Sequence, residues 1–259
     1  MPLVALVLMA RAPRQAMRTT MLLIFTIAFA LFAQVFLATQ VQRPVDISNY
    51  VMAADFSGFF PQDSTFSGTF EQQEAQYRNI PGVLSATIAY VSDKSFQNLD
   101  TSSLTVIATD PSSIGASITW PRIDNLTAIN TALGHLADQR TSLIADQAKA
   151  QRGSVNKALP PIPAIVSTAT SNLLHLSVGK LFFMSSFNSK GGLAFIDSAE
   201  VPYLPGVSNI LTDRGLLVDY ASFNAAYNMV IAPDALLTPT MAWFHTRQDT
   251  ASLTSVQHT

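Results

Sequence analysis

Thr19 to Gln42 reads TTMLLIFTIAFALFAQVFLATQVQ, and no charged residue occurs between Arg18 and Arg43. An α-helix rises about 1.5 Å per residue, so about 20 such residues cross a hydrocarbon core roughly 30 Å thick. A secretory signal and a buried helix of a soluble protein are the competing readings. A cleavable signal carries an apolar region of only about 7–15 residues and ends in a small-x-small site. Here the run is longer, and its far end, Phe36-Leu37-Ala38-Thr39-Gln40, offers no clean Ala-x-Ala exit. The stretch therefore reads as a retained transmembrane helix over 19–42, with the lipid bilayer as its first partner.

Arg11, Arg14 and Arg18 precede the span, with no acid before Arg18, while Arg43, Asp46 and Asp55 nearly cancel beyond it. Lys/Arg flanks stay on the cytoplasmic side, so the three arginines act as topology determinants. Residues 1–18 are then cytoplasmic or interfacial, and the bulk of the chain lies outside the cell membrane. Residues 2–10 (PLVALVLMA) are apolar but too few to cross. They suit either a helix lying on the inner leaflet or the tail of a lost span.

The span has two faces. Phe25, Phe29, Phe32 and Phe36 follow a 4-3-4 spacing and form one stripe, with Thr26, Ala30, Ala33 and Gln34 a quarter-turn or more away. Helices associate in lipid through small residues that allow close approach and polar groups that bond across the contact. Thr26, Ala30, Ala33 and Gln34 are therefore the candidate helix-packing face. The plainer reading, that any apolar helix of this composition shows some stripe, stands beside it.

A chain of 259 residues leaves enough after the anchor to bury a real core. With net charge −2 and 12% charged residues there is no basic excess, which argues against a nucleic-acid partner. Cysteine is absent, and an exported domain of this size needs no disulfides. The triplet Asn125-Leu126-Thr127 fits a glycosylation sequon, which arises often by chance and means nothing in a bacterium.

Residues 43–60 read as a connector that docks on the outer domain through Phe56, Phe59 and Phe60, with Phe66 following. Glu71–Asn79 carries strong helix formers and stops before Pro81-Gly82. Val83–Val91 and Leu104–Thr109 read as strands, and Asp110-Pro111 as a turn. This order suggests a sheet with one face covered by helix. Asp124 or Asn125 can cap a helix running to about Ala150, with Leu126, Ile129, Leu133, Leu136, Leu143 and Ile144 at near-helical spacing. Pro160, Pro161 and Pro163 mark an internal joint. Beyond it come a strand at Ala164–Ser167 and a short helix or turn at Thr170–Leu176. A hairpin of Val178–Ser186 and Leu193–Val201 follows, its turn Asn188-Ser-Lys-Gly-Gly supplying glycines. A strand at Leu216–Tyr220, a helix at Ser222–Met229 and a strand at Met241–Thr246 end the folded part, and Asp249 caps a helix that the sequence cuts short.

Sites for chemistry are sparse. A phosphate loop needs Gly-x4-Gly-Lys-Ser/Thr; Gly179-Lys180 lacks both the first glycine and the hydroxyl, and reads as a turn entering a strand. His135, His175, His245 and His258 are far apart, with no metal-ligand spacing and no thiolate. Ser167 and Ser171 lack an evident base, and no Gly-x-Ser-x-Gly elbow occurs. Asp197/Glu200 and Asp213/Asp219 fit loop and strand-end positions better than a catalytic pair. Trp243 reads as a core or interdomain anchor. The expectation is no enzyme, no cofactor and no metal.

Several stretches together resemble the FtsX-like, MacB-type permease subunits of ATP-binding-cassette transporters. Ala10-Arg11-Ala12-Pro13-x4-Arg18 is similar to the element that precedes a span in that family, and Tyr77-Arg78-Asn79-Ile80-Pro81-Gly82-Val83 to its step into the first outer strand. Ile162-Pro163-Ala164-Ile165-Val166-Ser167, Ser177-Val178-Gly179-Lys180, Gly215-Leu216-Leu217-Val218-Asp219-Tyr220 and Trp243-Phe244-His245-Thr246 follow in the family's order. The resemblance rests on the ordered set and covers most of the chain.

It implies an α+β protein: one N-terminal transmembrane helix followed by a two-part extracytoplasmic domain. An α/β layer is built from residues 61–155 and 241–259, and a β-rich insert from 156–240. It implies a cytoplasmic ATP-binding-cassette ATPase and a second permease, in a homo- or heterodimer, as partners. Family permeases carry at least four spans and this chain shows one, so it reads as a fragment, a split gene product or an incomplete frame. A reading from a different class is a single-pass anchored module that binds a peptide, lipoprotein or envelope enzyme without transport.

Overall fold

The computed structural model describes residues 13–60, 68–97, 103–120, 126–153, 159–186, 192–202, 204, 214–231, 237–247 and 249. Contacts divide the chain into two units, Met1–Ile47 and Ser48–Thr259.

Helix α1 runs over Pro13–Met52. Its stretch Met17–Arg43 is long and apolar enough to cross a membrane, and its described residues stand exposed apart from Ala33. The sequence reading ends this helix at 42, yet it continues past Pro44. Proline in a helix interior removes one backbone bond and usually kinks or ends the helix. Here the helix stops at Met52, where Ala53 turns left-handed at φ 56°. The expected connector, 43–60, is thus the end of α1 followed by strand β1 (Phe56–Phe59).

The second unit is mixed α+β. After β1 come α2 (Phe70–Arg78), β2 (Val83–Gln97), β3 (Ser103–Thr109), α3 (Pro111–Ser117) and α4 (Leu126–Gly153). Then follow β4 (Ile162–Ser167), α5 (Thr168–Leu174), β5 (Leu181–Ser186), β6 (Gly192–Val201), β7 (Gly215–Asp219), α6 (Tyr220–Val230) and β8 (Met241–Thr246). Local signals explain these limits. A full capping box of Thr69 and Gln72 starts α2, and Asp219 caps α6 through the Ser222 N–H. Asp110-Pro111, read as a turn, instead supplies the N-cap and first residue of α3. Asp at N-cap and Pro at the next position fit a helix start as well as a turn.

All eight strands form one sheet in the order β1-β8-β2-β3-β7-β4-β6-β5. Residues 156–240, expected as a β-rich insert, contribute β4 to β7, and the parallel pairing of β3 with β7 joins them to the strands before. The far end of β2 also pairs with β5, at Phe96↔Ser186 and Gln97↔Ser185, so six strands close into a ring.

Side chains alternate across this sheet, and both faces are buried. Leu104, Val106, Ala108, Ile162, Ala164, Val166, Leu216 and Val218 build one core, over which Phe223 and Ala226 of α6 and Phe70 of α2 pack. Ile107, Ile165, Leu217 and Trp243 face the other way, beneath Ile114 of α3 and Ile129, Leu133 and Leu136 of α4. The expectation of a single helix-covered face is corrected accordingly. Strands buried on both faces read as continuous apolar runs, which is why β4 and β7 show no alternation in sequence. Within α4, Leu126 is exposed and Leu143 and Ile144 are half-buried, so of the expected stripe Ile129, Leu133 and Leu136 reach the core, and Gln147 and Ala150 are buried further along. The Asp124/Asn125 cap, the 188–192 turn apart from Gly192, and the helix after Asp249 lie outside the described residues.

Candidate functional site

The residues that follow α1 are tied into the sheet at four points. Ala53 is fully buried beside Trp120, Leu204, Met241 and Trp243. Its carbonyl accepts the Thr119 N–H at 2.6 Å. Asp55 Oδ2 accepts the Thr246 N–H at 2.7 Å and lies 2.8 Å from His245 Nδ1. β1 then pairs antiparallel with β8 from Phe56↔Phe244 to Phe59↔Met241. Finally, the Phe60 N–H reaches the Thr240 carbonyl at 2.9 Å, and its ring packs on Tyr77 at 5.6 Å. Docking was expected through the phenylalanine side chains. Phe60 does pack on the core, Phe59 stays exposed, and backbone pairing and one carboxylate supply the other ties.

The strand that receives this segment is itself central. β8 lies between β1 and β2, with Trp243 fully buried within it. An L-residue at positive φ costs roughly 1–3 kcal/mol and persists only where its surroundings over-determine it. Ala53 meets that condition through its burial and its hydrogen bond.

A second polar group fastens the parallel strands. Asp110 and Asp219 end β3 and β7, where Thr109 pairs with Asp219. Arg140 of α4 reaches both, with Nε 2.8 Å from Asp219 Oδ1 and an Nη 2.6 Å from Asp110 Oδ1. Burial pushes the Asp110 carboxyl up, but hydrogen bonds from Arg140 and Ser112 outweigh it and hold it below the usual carboxylate range. Asp219 Oδ2 takes the Ser222 N–H and hydroxyl. The lone pairs are committed to helix caps and one guanidinium, which is a fastening rather than an acid–base pair.

A third cluster lies inside. Thr87 Oγ1 meets Thr109 Oγ1 at 3.1 Å and Ser113 Oγ at 2.7 Å. Glu74, almost fully buried, has its carboxyl pushed up by burial, against the opposing Ser113 hydrogen bond and Arg78 charge.

The sequence-derived candidates fall as follows. Ser167 caps α5 and shares its oxygen with Thr170 and the Gly215 N–H. Ser171 donates to Glu200. Asp197 of β6 has no exposed surface, and neither carboxylate oxygen has a hydrogen-bond partner. Burial first, and the Glu200 charge second, push its carboxyl up to about 6, while the Ala199 N–H opposes. Gly179 takes φ 89° in the turn before β5, and the Lys180 ammonium donates to the His175 carbonyl. His135 and His175 are exposed, and among the described residues no three His, Asp or Glu side chains group as metal ligands. Trp243 is a core residue whose indole N–H has no partner. Asp213, His258 and Arg11 lie outside the described residues.

In α1, Arg14 and Arg18 are exposed. Thr26 turns its hydroxyl onto the Leu22 carbonyl at 2.8 Å, Ala30 and Gln34 are exposed, and Ala33 is half-buried. On the other stripe Phe32 and Phe36 stack with ring centres 6.1 Å apart. Sequence reasoning missed Ala53, Asp55 and Arg140. Nothing local marks a left-handed alanine or a guanidinium shared between two distant strand ends. The Asp-Pro signal at 110 was present and admitted a helix cap.

The chain therefore presents a mixed α+β unit, one eight-stranded sheet covered on both faces, following a single apolar helix. No family model and no curated protein matches its sequence. Three solved structures are similar to it. One is the extracellular domain of the noncanonic ABC-type transporter YknZ from Gram-positive bacteria, at 9% identity and TM-score 0.41, covering 77% of this chain and 86% of that one. Another is the periplasmic region of MacB from Actinobacillus actinomycetemcomitans, at 6% identity and TM-score 0.40, covering 76% and 73%. A third is a domain assigned as a permease from Porphyromonas gingivalis, at 15% identity and TM-score 0.34, covering 72% and 68%.

Proposed function

We propose that this chain is a permease component of an ATP-binding-cassette transporter, in which ATPase-driven motion in the membrane is passed to an extracytoplasmic domain. The N-terminus is cytoplasmic, the span is Met17–Arg43, and the bulk of the chain is outside. A cytoplasmic ATPase subunit and a second permease are its partners, with Thr26, Ala30, Ala33 and Gln34 as the helix-packing face. The outer part divides into an α/β layer (61–155 and 241–259) and a β-rich insert (156–240). The reading is carried by one observation: the apolar helix runs unbroken to Met52, and the next residues are pinned at Ala53, Asp55 and β1. A displacement that reaches residues 53–60 acts directly on the strands to which they are tied. Rigid elements moved as bodies are a common way of transmitting such changes. The mechanism in this reading is mechanical coupling.

Affinity purification tests it. The tagged full chain, purified from its native membrane in mild detergent, should retain an ATP-binding-cassette ATPase subunit. Purification that never retains an ATPase removes the transport reading and leaves the single-pass anchored binding module.

A further inference from the structure

Asp197 sits at an enclosed corner of the sheet. Along β6 it follows Leu193 and Phe195 at alternate positions, which turns it toward the core under α6. The turn before β5 closes one side: the Gly179 N–H donates to the Asp197 carbonyl at 2.6 Å, and the Asp197 N–H donates to the Lys180 carbonyl at 3.0 Å. β4 closes the other side, with Ala164 as the cross-strand partner. The ladder then breaks. Ser198 is skipped as the pairing moves from Ala164↔Asp197 to Ile165↔Ala199, and a bulge of this kind disrupts the ladder locally. α5 is held to this strand by the Thr168 hydroxyl, which donates to the Val201 carbonyl at 3.1 Å, and by the Ser171 hydroxyl, which donates to Glu200. It is seven residues long and ends on His175, in the left-handed region at φ 50°.

The carboxyl group in this corner has no exposed surface, and neither oxygen has a hydrogen-bond partner by geometry among the described residues. The charged groups around it supply no compensating cation. Glu200, on its own strand, has the same sign. Lys180, across the ladder, donates its ammonium to the His175 carbonyl, and His175 is exposed at the end of α5. β4, β5 and α5 carry no ionisable side chain within their ranges. α6 brings Tyr220 and Tyr227, of which Tyr220 donates to the Leu237 carbonyl. α4 packs on the opposite face, and its Arg140 is held by Asp110 and Asp219.

We propose that α5, residues 175–180 and the bulge of β6 form a proton-operated latch, closed over Asp197 while its carboxyl is protonated and opened when it ionises. A dry carboxylate without hydrogen bonds is costly, and the neutral acid is much less so. Because the group has no surface, it gains water only when the elements covering it part. Short elements held by a few hydrogen bonds open at lower free energy than core strands. Burial first, and the Glu200 charge second, raise the closed-state midpoint to about 6 from an ordinary 3.8. The closed corner therefore holds its proton more tightly than the open one. Opening is favoured as pH rises between those midpoints, and the gain is complete above about 7. A difference of about two pH units is about a hundredfold in the opening equilibrium. This latch is independent of any transport role.

The test is hydrogen–deuterium exchange, read by mass spectrometry on the full chain in a neutral maltoside detergent. Labelling is done at pH 4 and pH 8, with times scaled for the intrinsic amide rate. Peptides covering 168–180 and 192–201 should show an opening constant about a hundredfold larger at pH 8. At that pH they should also exchange well ahead of peptides from β3 and β7, which marks a local opening rather than global unfolding. Asp197→Asn should lose the rise in the corner peptides, with a cooperative thermal melt showing that the variant is folded. No rise in the parent, corner peptides that exchange no faster than β3 and β7, or a rise that persists in Asp197→Asn overturns the latch.

Discussion

Replacing Asp197 with asparagine keeps the shape of the side chain and removes its charge. In the folded chain this carboxylate has no exposed surface, neither oxygen has a hydrogen-bond partner by geometry among the described residues, and its midpoint stands at about 6 against an ordinary 3.8. At about 1.36 kcal/mol per pH unit, the native state disfavours the charged form by up to about 3 kcal/mol relative to the unfolded chain. Between the two midpoints the native state holds more protons than the unfolded one, so stability falls as pH rises. The burden is absent below pH ~3.8, builds as pH climbs towards ~6, and is complete above about 7. The neutral amide carries none of it. A shift of 1 kcal/mol moves the melting temperature by roughly 2–4 °C in a unit of this size, so Asp197→Asn should melt roughly 6–12 °C higher than the parent at pH 8. At pH 4 the two should melt nearly together. Far-ultraviolet circular dichroism of the full chain in detergent reads both. A variant that melts lower at pH 8, or a difference that does not change with pH, would refute the account of Asp197 as a charge buried without compensation.

Arg140→Leu leaves Asp110 and Asp219 facing each other without their shared guanidinium. Removing one partner of a buried pair costs about 3–5 kcal/mol, and partial exposure lowers this to roughly 2–4. Because the Asp110 carboxyl is held below its ordinary value, its contribution is present above pH ~3.8 and lost as the pH falls through the folded midpoint, so urea titrations should show a penalty that shrinks in acid. Ala53→Val places a β-branched residue at φ 56° in a site with no exposed surface, and should cost more than about 2 kcal/mol in the same assay, whereas Ala53→Gly is tolerated. The chain has no cysteine, so single replacements report topology cleanly. Gln76→Cys should react with an impermeant maleimide in intact cells and Arg14→Cys only after permeabilisation; the reverse pattern would place the bulk of the chain in the cytosol.

Much of the secondary structure was legible because its signals are local. Met241–Thr246 is bounded in the fold as in the sequence, and β3, β4 and β7 agree within a residue or two, since each is an apolar run framed by turn residues. The end of α1 was not legible: Pro44 argues for a stop, and the helix continues to Met52. Nor was the sheet order. The parallel pairing of β3 with β7 links segments far apart in sequence, and its register is set by cores on both faces rather than by any turn. The ties at Ala53 and Asp55 have the same character. A left-handed alanine carries no marker in the sequence, and the aspartate's worth depends on where Thr246 and His245 come to lie.

The distribution of polar groups in the unit Ser48–Thr259 bears on what it can do. Asp110, Asp219 and Arg140 lock two strand ends to α4, and Asp55 locks the segment after the helix to β8. Thr87, Thr109, Ser113 and Glu74 close a buried network beneath α2 and α3. A sheet packed on both faces resists compression, because protein interiors are close-packed and respond to force by moving as bodies. Groups consumed in this way hold the elements of this unit to one another. Weakening these ties without unfolding the unit is the decisive manipulation. Asp55→Asn removes one carboxylate tie while leaving the β1–β8 ladder intact. In a reconstituted transporter it should lower transport more than it lowers the ATPase rate, and an equal loss of both would count against a mechanical role for this segment.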